Sequence, residues 1–132
     1  MEGHGIPLSI VVTGANRHDV TQVESVLSGV VIKRPDNIVQ NLCADKGYFG
    51  KSAMQLIIKY GYIPHVRARG EEAKAIKQGQ KAHRWIVEVA HAWFNCFRKI
   101  LVRYEKLKSS YEALLYLAAA IIAYRKIDAI YG

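Results

Sequence analysis

One stretch constrains the fold more than any other. Ile38-Val39-Gln40-Asn41-Leu42-Cys43-Ala44-Asp45-Lys46-Gly47-Tyr48-Phe49-Gly50 is a short apolar run closed by Asp-Lys-Gly. It reads as a strand whose end delivers one acidic side chain into a turn. Residues 51–60, Lys-Ser-Ala-Met-Gln-Leu-Ile-Ile-Lys-Tyr, have helical character, and Gly61-Tyr62-Ile63-Pro64-His65-Val66 returns to strand. Asp45 therefore stands at a strand-to-helix junction inside a βαβ unit. A carboxylate mounted at a strand end is held with the precision that catalysis needs.

A chain of 132 residues, half of them hydrophobic, suffices for one domain with a real core. The net charge of +8 is unevenly spread. Residues 1–60 carry six basic and five acidic side chains, residues 61–132 thirteen and six. A basic second half fits a polyanionic partner such as nucleic acid, or simply a solvated surface. Cys43 and Cys96 lack metal-ligand spacing and read as reduced core residues of a cytoplasmic protein. The start, Met1-Glu2-Gly3-His4-Gly5, has neither region of a signal peptide. The most apolar stretch, 113–124, is far below the ~20 residues that cross a bilayer.

Residues 6–13, rich in β-branched side chains, are expected to form a strand. Gly14-Ala15-Asn16-Arg17-His18-Asp19 is turn-like. Asp19 reads as the N-cap of a helix through about residue 27, with Gln22 as its capping-box partner. A functional reading instead sets Asn16, His18 and Asp19 near an active site. Arg34-Pro35-Asp36-Asn37 is a turn, and 67–80 a charged, exposed connection.

A second informative helix spans about 84–104. Trp85, Val89, Ala92, Trp93, Cys96 and Ile100 recur at helical spacing as one apolar stripe. Arg84, Glu88, His91, Asn95 and Arg98 fall opposite, within an arc of about 80°. Glu88 is either an i,i+4 partner of Arg84 or a metal-binding carboxylate, and spacing alone favours the ion pair. After Ser109-Ser110 a last helix over about 111–126 is apolar nearly all round and reads as the closure of the core. No Walker loop, Cys/His zinc pattern or Ser-His-Asp signature points to another enzyme class.

The succession Gly5-Ile6-Pro7, Thr13-Gly14-Ala15-Asn16-Arg17-His18-Asp19, Ala44-Asp45-Lys46-Gly47-Tyr48 and Arg84-Trp85-Ile86-Val87-Glu88 resembles the catalytic domain of bacterial insertion-sequence DDE transposases. The resemblance continues through Trp93-Phe94-Asn95 and from Phe97 to the Arg103-Tyr104-Glu105 run. It covers nearly the whole chain, as one partial catalytic domain over residues 1–132. It implies an α/β, RNase H-like fold, with a mixed central sheet flanked by helices and three carboxylates holding two Mg²⁺ (or Mn²⁺) ions. By this analogy Asp45 is the second acid and Glu88 the third, both catalytic and metal-binding. Arg84 becomes a DNA phosphate contact, with Lys81, Asn95, Arg98 and Lys99 beside it and His91 an active-site neighbour. Lys81 and Asn95 stand where many relatives have Tyr and Lys.

The family sets its first aspartate on a strand upstream of the Gly-Ile-Pro segment, and neither Glu2, Asp19 nor Asp36 has that context. The resemblance therefore implies a C-terminal part of a transposase that lacks its first strand, first Asp and N-terminal DNA-binding region, and is inactive by itself. The implied partners are DNA ends and target, with a second copy or a full transposase, in a bacterial cytoplasm near the nucleoid and away from membranes. The competing expectation is a non-catalytic basic DNA-binding or regulatory module that pairs with a full transposase.

Overall fold

The computed structural model describes residues 1–33, 35–66 and 84–132, residues 84 and 85 by backbone only. The connection expected over 67–80, Lys81, Arg34 and the side chains of Arg84 and Trp85 lie outside the described residues. The chain forms two compact units, Thr13–His83 and Met1–Val12 with Arg84–Gly132.

In the first unit a 3₁₀ turn, Asp19–Gln22, leads into α1, Val23–Ser28. Then follow β1, Asn41–Ala44, a second 3₁₀ turn, Lys46–Tyr48, α2, Lys51–Lys59, and β2, Ile63–Val66. The strands pair in parallel, Asn41 opposite Ile63 and Ala44 opposite Val66, with α2 as the crossover. The expected βαβ unit is present. Among the described residues the sheet has these two strands only.

The sequence explains each step. Ala53 and Ile57, one helical turn apart on α2, are buried, as are Val23 and Leu27 on α1. Val23, Leu27 and Ile57 form the core, with Leu42 and Val66 packed on it from the sheet. The alternate strand residues Asn41, Cys43, Ile63 and His65 face away and are exposed, as a period of two requires. On that outer side a His65 ring nitrogen meets Asn41 Oδ1 at 2.8 Å.

Helix α2 stops at Gly61, whose φ of 76° is the left-handed conformation glycine adopts without strain. Gly61 N–H donates to Ile58 O (2.8 Å) and Tyr62 N–H to Ile57 O (3.1 Å), the paired bonds of a Schellman cap. Ile63 N–H then donates to Gln40 O (3.0 Å), so the backbone N–H groups of the odd-numbered positions of β2 point towards β1. Pro64, which has no N–H, is thereby turned to the outer edge of the sheet, where a missing donor breaks no ladder bond.

The second unit holds α3, Arg84–Asn95, a short α4, Arg98–Leu101, and α5, Lys108–Tyr131. Ala90 on α3 and Ala118 and Ile122 on α5 are buried. Gly5 lies against Trp93, with φ of 85°, and a Cβ there would stand 3.4 Å from the indole. Lys126 places its ammonium 4.0 Å from the centre of the Trp93 ring, a cation–π contact. Glu2 accepts the N–H of His4 (2.9 Å) and of Ile6 (3.0 Å) and holds the start of the unit in a turn.

Several expectations are corrected. Residues 6–13 form no strand; β-branched composition favours extension, but a strand exists only through a ladder partner. Instead the Tyr116 hydroxyl donates to Ile10 O at 3.2 Å. Asp19 is not the N-cap. His18 precedes the turn, without a side-chain cap, and Gln22 Nε2 donates to Thr21 Oγ1 (2.9 Å) rather than closing a capping box.

The helix expected over 84–104 breaks after Asn95. Cys96 and Phe97 tighten to i→i+3 bonds with Trp93 and Phe94, and Phe97 is extended at φ −92°, ψ 103°. The break ends the periodicity on which the apolar stripe rested. Ile86, Ala90, Trp93 and Phe97 turn inward, while Ala92 and Cys96 are exposed. Cys43 and Cys96 are free thiols, as expected, but exposed rather than core. Helix α5 exceeds its expected span at both ends and buries only Ala118 and Ile122. The core closure assigned to it is therefore partial. No helix among the described residues is long and apolar enough to cross a membrane.

Candidate active site

Asp45 is the residue that directly follows β1. Its backbone is extended (φ −67°, ψ 159°), and its Oδ1 accepts the N–H of Lys46 at 2.6 Å. The Asp45 carbonyl accepts Tyr48 N–H at 2.9 Å and closes the 3₁₀ turn. Strand, turn and capping bond fix the carboxylate, and it remains exposed. Among the described residues no hydrogen bond reaches its second oxygen.

The two 3₁₀ turns of this unit, Asp19–Gln22 and Lys46–Tyr48, pack against one another. Tyr48, in the second of these turns, is half-buried against the core of Val23, Leu27 and Ile57. Burial first, then the negative charges of Asp19 and of Asp45, push its phenol above the ordinary tyrosine value. Asp19 and Asp45 thus act on a single hydroxyl. Asn16 and His18 are exposed on the preceding turn and share no hydrogen bond with Asp45 among the described residues. Tyr48 was not singled out by sequence reasoning. Its signal is its spacing, since a residue three places after a turn-capping Asp returns to the same side of a 3₁₀ turn.

Glu88 lies on α3, in the second unit, and is exposed. His91 and Asn95, three and seven residues on, are exposed with it, and Arg98 and Lys99 open α4 at the surface. The polar face expected of this helix is therefore a solvent face. The ion pair expected between Glu88 and Arg84 falls outside the described side chains. Among the described residues no three His, Cys, Asp or Glu side chains converge as a metal cage.

Residues 42–125, from β1 into α5, match a family model described as "Transposase DDE domain". The chain is 29% identical, over 135 residues, to a Burkholderia cepacia protein described as "Putative transposase for insertion sequence element IS402". That similarity covers 96% of this chain and 61% of the relative, so the chain spans about three-fifths of the relative's length. No solved structure matches.

Proposed function

The chain belongs to the transposase DDE domain family, and on that premise we propose that it is a partial catalytic domain of an insertion-sequence transposase. The reaction is phosphoryl transfer at transposon DNA ends. Both compact units belong to this one domain, of RNase H-like type, and the βαβ unit with an acid at its strand end supports that reading. The observation that carries it is the family match itself, which includes both Asp45 and Glu88, with Asp45 fixed at the end of β1.

Asp45 and Glu88 are exposed carboxylates, the hard-oxygen donors that Mg²⁺ and Mn²⁺ take. Each has the chemistry of a magnesium ligand, with waters and phosphate oxygens to fill the rest of the ion's shell. When bound, such ions activate the attacking oxygen of an in-line displacement and stabilise the leaving one. The protein's share is to hold the two carboxylates. Arg84, Lys81, Asn95, Arg98 and Lys99 bind the DNA backbone, and His91 lies beside Glu88 on the solvent face. With two carboxylates in matching context rather than three, this 132-residue stretch transfers phosphoryl groups poorly by itself.

Calorimetric titration with Mn²⁺ tests the assignment on the wild type, Asp45→Asn and Glu88→Gln. Asparagine keeps an oxygen to accept Lys46 N–H, so the turn survives and a lost heat reports lost ligation. Each substitution is expected to abolish binding. Binding indifferent to both would refute the site. The second reading, a non-catalytic basic DNA-binding or regulatory module that pairs with a full transposase, then takes over, and the basic balance of residues 61–132, thirteen basic to six acidic side chains, supports it.

A further inference from the structure

Asp45 lies between two points at which the chain is fastened to the same core. Leu42, three residues before it, and Tyr48, three residues after it, both pack on Val23, Leu27 and Ile57. Asp45, Lys46 and Gly47 are exposed, and Tyr48 is the first residue to return inward. Its neighbour Phe49 does not share that task, being 59% exposed. The next fully buried side chain is Ala53, eight residues beyond Asp45.

Ring and carboxylate are the two ends of one hydrogen-bonded turn. Tyr48 N–H donates to Asp45 O at 2.9 Å, and Phe49 N–H to Lys46 O at 3.0 Å. Lys46 N–H donates in turn to Asp45 Oδ1 at 2.6 Å. Whatever fixes the ring therefore fixes the backbone that aims the carboxylate. A segment closed between two fixed points has less freedom the shorter it is. The stretch from Leu42 to Tyr48 thus holds Asp45 more closely than one from Leu42 to Ala53 would.

A tyrosine suits this place, because it joins a large apolar body to a polar tip. Its hydroxyl stays neutral, since burial first and then the charges of Asp19 and Asp45 oppose its ionisation. The anchor therefore adds no charge beside the carboxylate. We propose that Tyr48 is a positioning residue for Asp45: its ring, seated on the core, pins the turn that aims the carboxylate. The inference rests on the reading of Asp45 as a metal-binding acid and extends it to a side chain that acts through that acid.

Amide hydrogen exchange of the metal-free chain reads the placement of Asp45 through the Lys46 N–H that its carboxylate holds. Tyr48→Ala is expected to speed exchange at Lys46 at least ~tenfold, while the amides of the β1–β2 ladder and of Ile57 keep their wild-type rates. Tyr48→Phe, which keeps the ring, and Phe49→Ala, which removes the exposed neighbour, are expected to leave Lys46 unchanged. In a Mn²⁺ titration Tyr48→Ala is expected to raise the dissociation constant ~10–100-fold, as when a group that orients a metal ligand is removed, with the number of sites per chain unchanged. Tyr48→Leu, which leaves apolar bulk on the core without the reach of the ring, is the second variant. Exchange at Lys46 between that of Tyr48→Phe and Tyr48→Ala, with the ladder intact, supports the proposal. Ladder amides freed together with Lys46 in both Tyr48→Leu and Tyr48→Ala overturn it, because the ring would then hold the unit rather than the turn. Exchange at Lys46 indifferent to Tyr48→Ala overturns it too, as does a Tyr48→Phe that loses as much, since the hydroxyl would then be the acting group. The exchange measurement involves no ion, so it decides the proposal even where the Mn²⁺ titration of Asp45→Asn and Glu88→Gln refutes the metal assignment.

Discussion

Tyr48 shows how a single side chain reports on its surroundings. Its phenol is held above the usual 10.0 by burial and by the charges of Asp19 and Asp45. While the phenol is neutral this costs nothing. Above pH 10.0 the unfolded chain releases that proton first, so the folded state binds more protons and stability falls with rising pH until the folded value is passed. Tyr48→Phe is expected to lose less stability between neutral and alkaline pH than the wild type. Asp19→Asn should fall between the two, because it removes the larger of the two charge contributions and leaves burial. Denaturant unfolding at both pH values checks this, and equal alkaline losses in all three proteins would rule it out. At the other end of the scale, burial alone raises the Glu2 carboxyl. The N–H groups of Ile6 and His4, with the His4 ring, outweigh burial and hold the carboxyl below its ordinary range. Its stabilisation is present above 4.5 and fades as pH falls through the folded value.

At the scale of elements, α2 gives the sharpest contrast between neighbours. Ile57 is 1% exposed and Ile58 59%, although they are adjacent and chemically identical. Ile57→Ala is expected to cost ~2–5 kcal/mol, from lost burial and the cavity left behind. Ile58→Ala should stay within about 0.5 kcal/mol. Comparable losses from the two would contradict the packing of α2 on β1 and β2. The βαβ unit that sets this contrast was legible in the sequence, because it is written in local signals: a short apolar run closed by Asp-Lys-Gly, a helical segment and a return to strand. The failures share a different cause. Residues 6–13 have strand composition, yet a strand is defined by a partner that composition does not name. The 84–104 stripe continued past residue 95 on paper because periodicity does not register the turn at Cys96 and Phe97. For Cys43 and Cys96, apolar sequence neighbours predicted burial, whereas the face each occupies decided exposure. The place of Asp45 at a strand end was legible because its context is local. Its shared effect with Asp19 on Tyr48 was not, because it depends on two turns, 26 residues apart, meeting in space.

The charge of the whole molecule bears on the partner. Between residues 98 and 108 five basic side chains, Arg98, Lys99, Arg103, Lys106 and Lys108, are exposed. Two already have intramolecular engagements. Lys108 pairs with Glu112 at 3.4 Å, and the Arg103 guanidinium lies 5.0 Å from the Tyr111 ring. Of the other three, Arg98 and Lys99 open α4, next in the chain to the polar face of α3, and Lys106 follows after α4. If this surface binds the DNA backbone, each phosphate neutralised releases condensed counterions, and the logarithm of affinity falls with the logarithm of salt by about 0.9 per contact. A duplex titrated at several salt concentrations is therefore expected to bind with a steep negative slope. Replacing Arg98 and Lys99 together by glutamine should reduce the magnitude of that slope by about 2. Asp45→Asn, which removes a negative charge but neither adds nor removes a cation, should leave the slope in place. Affinity indifferent to salt, or a double variant with the wild-type slope, would remove α4 from the DNA surface. The positive balance of the second half would then be a solvation property, since net charge by itself fixes neither a partner nor a place for it.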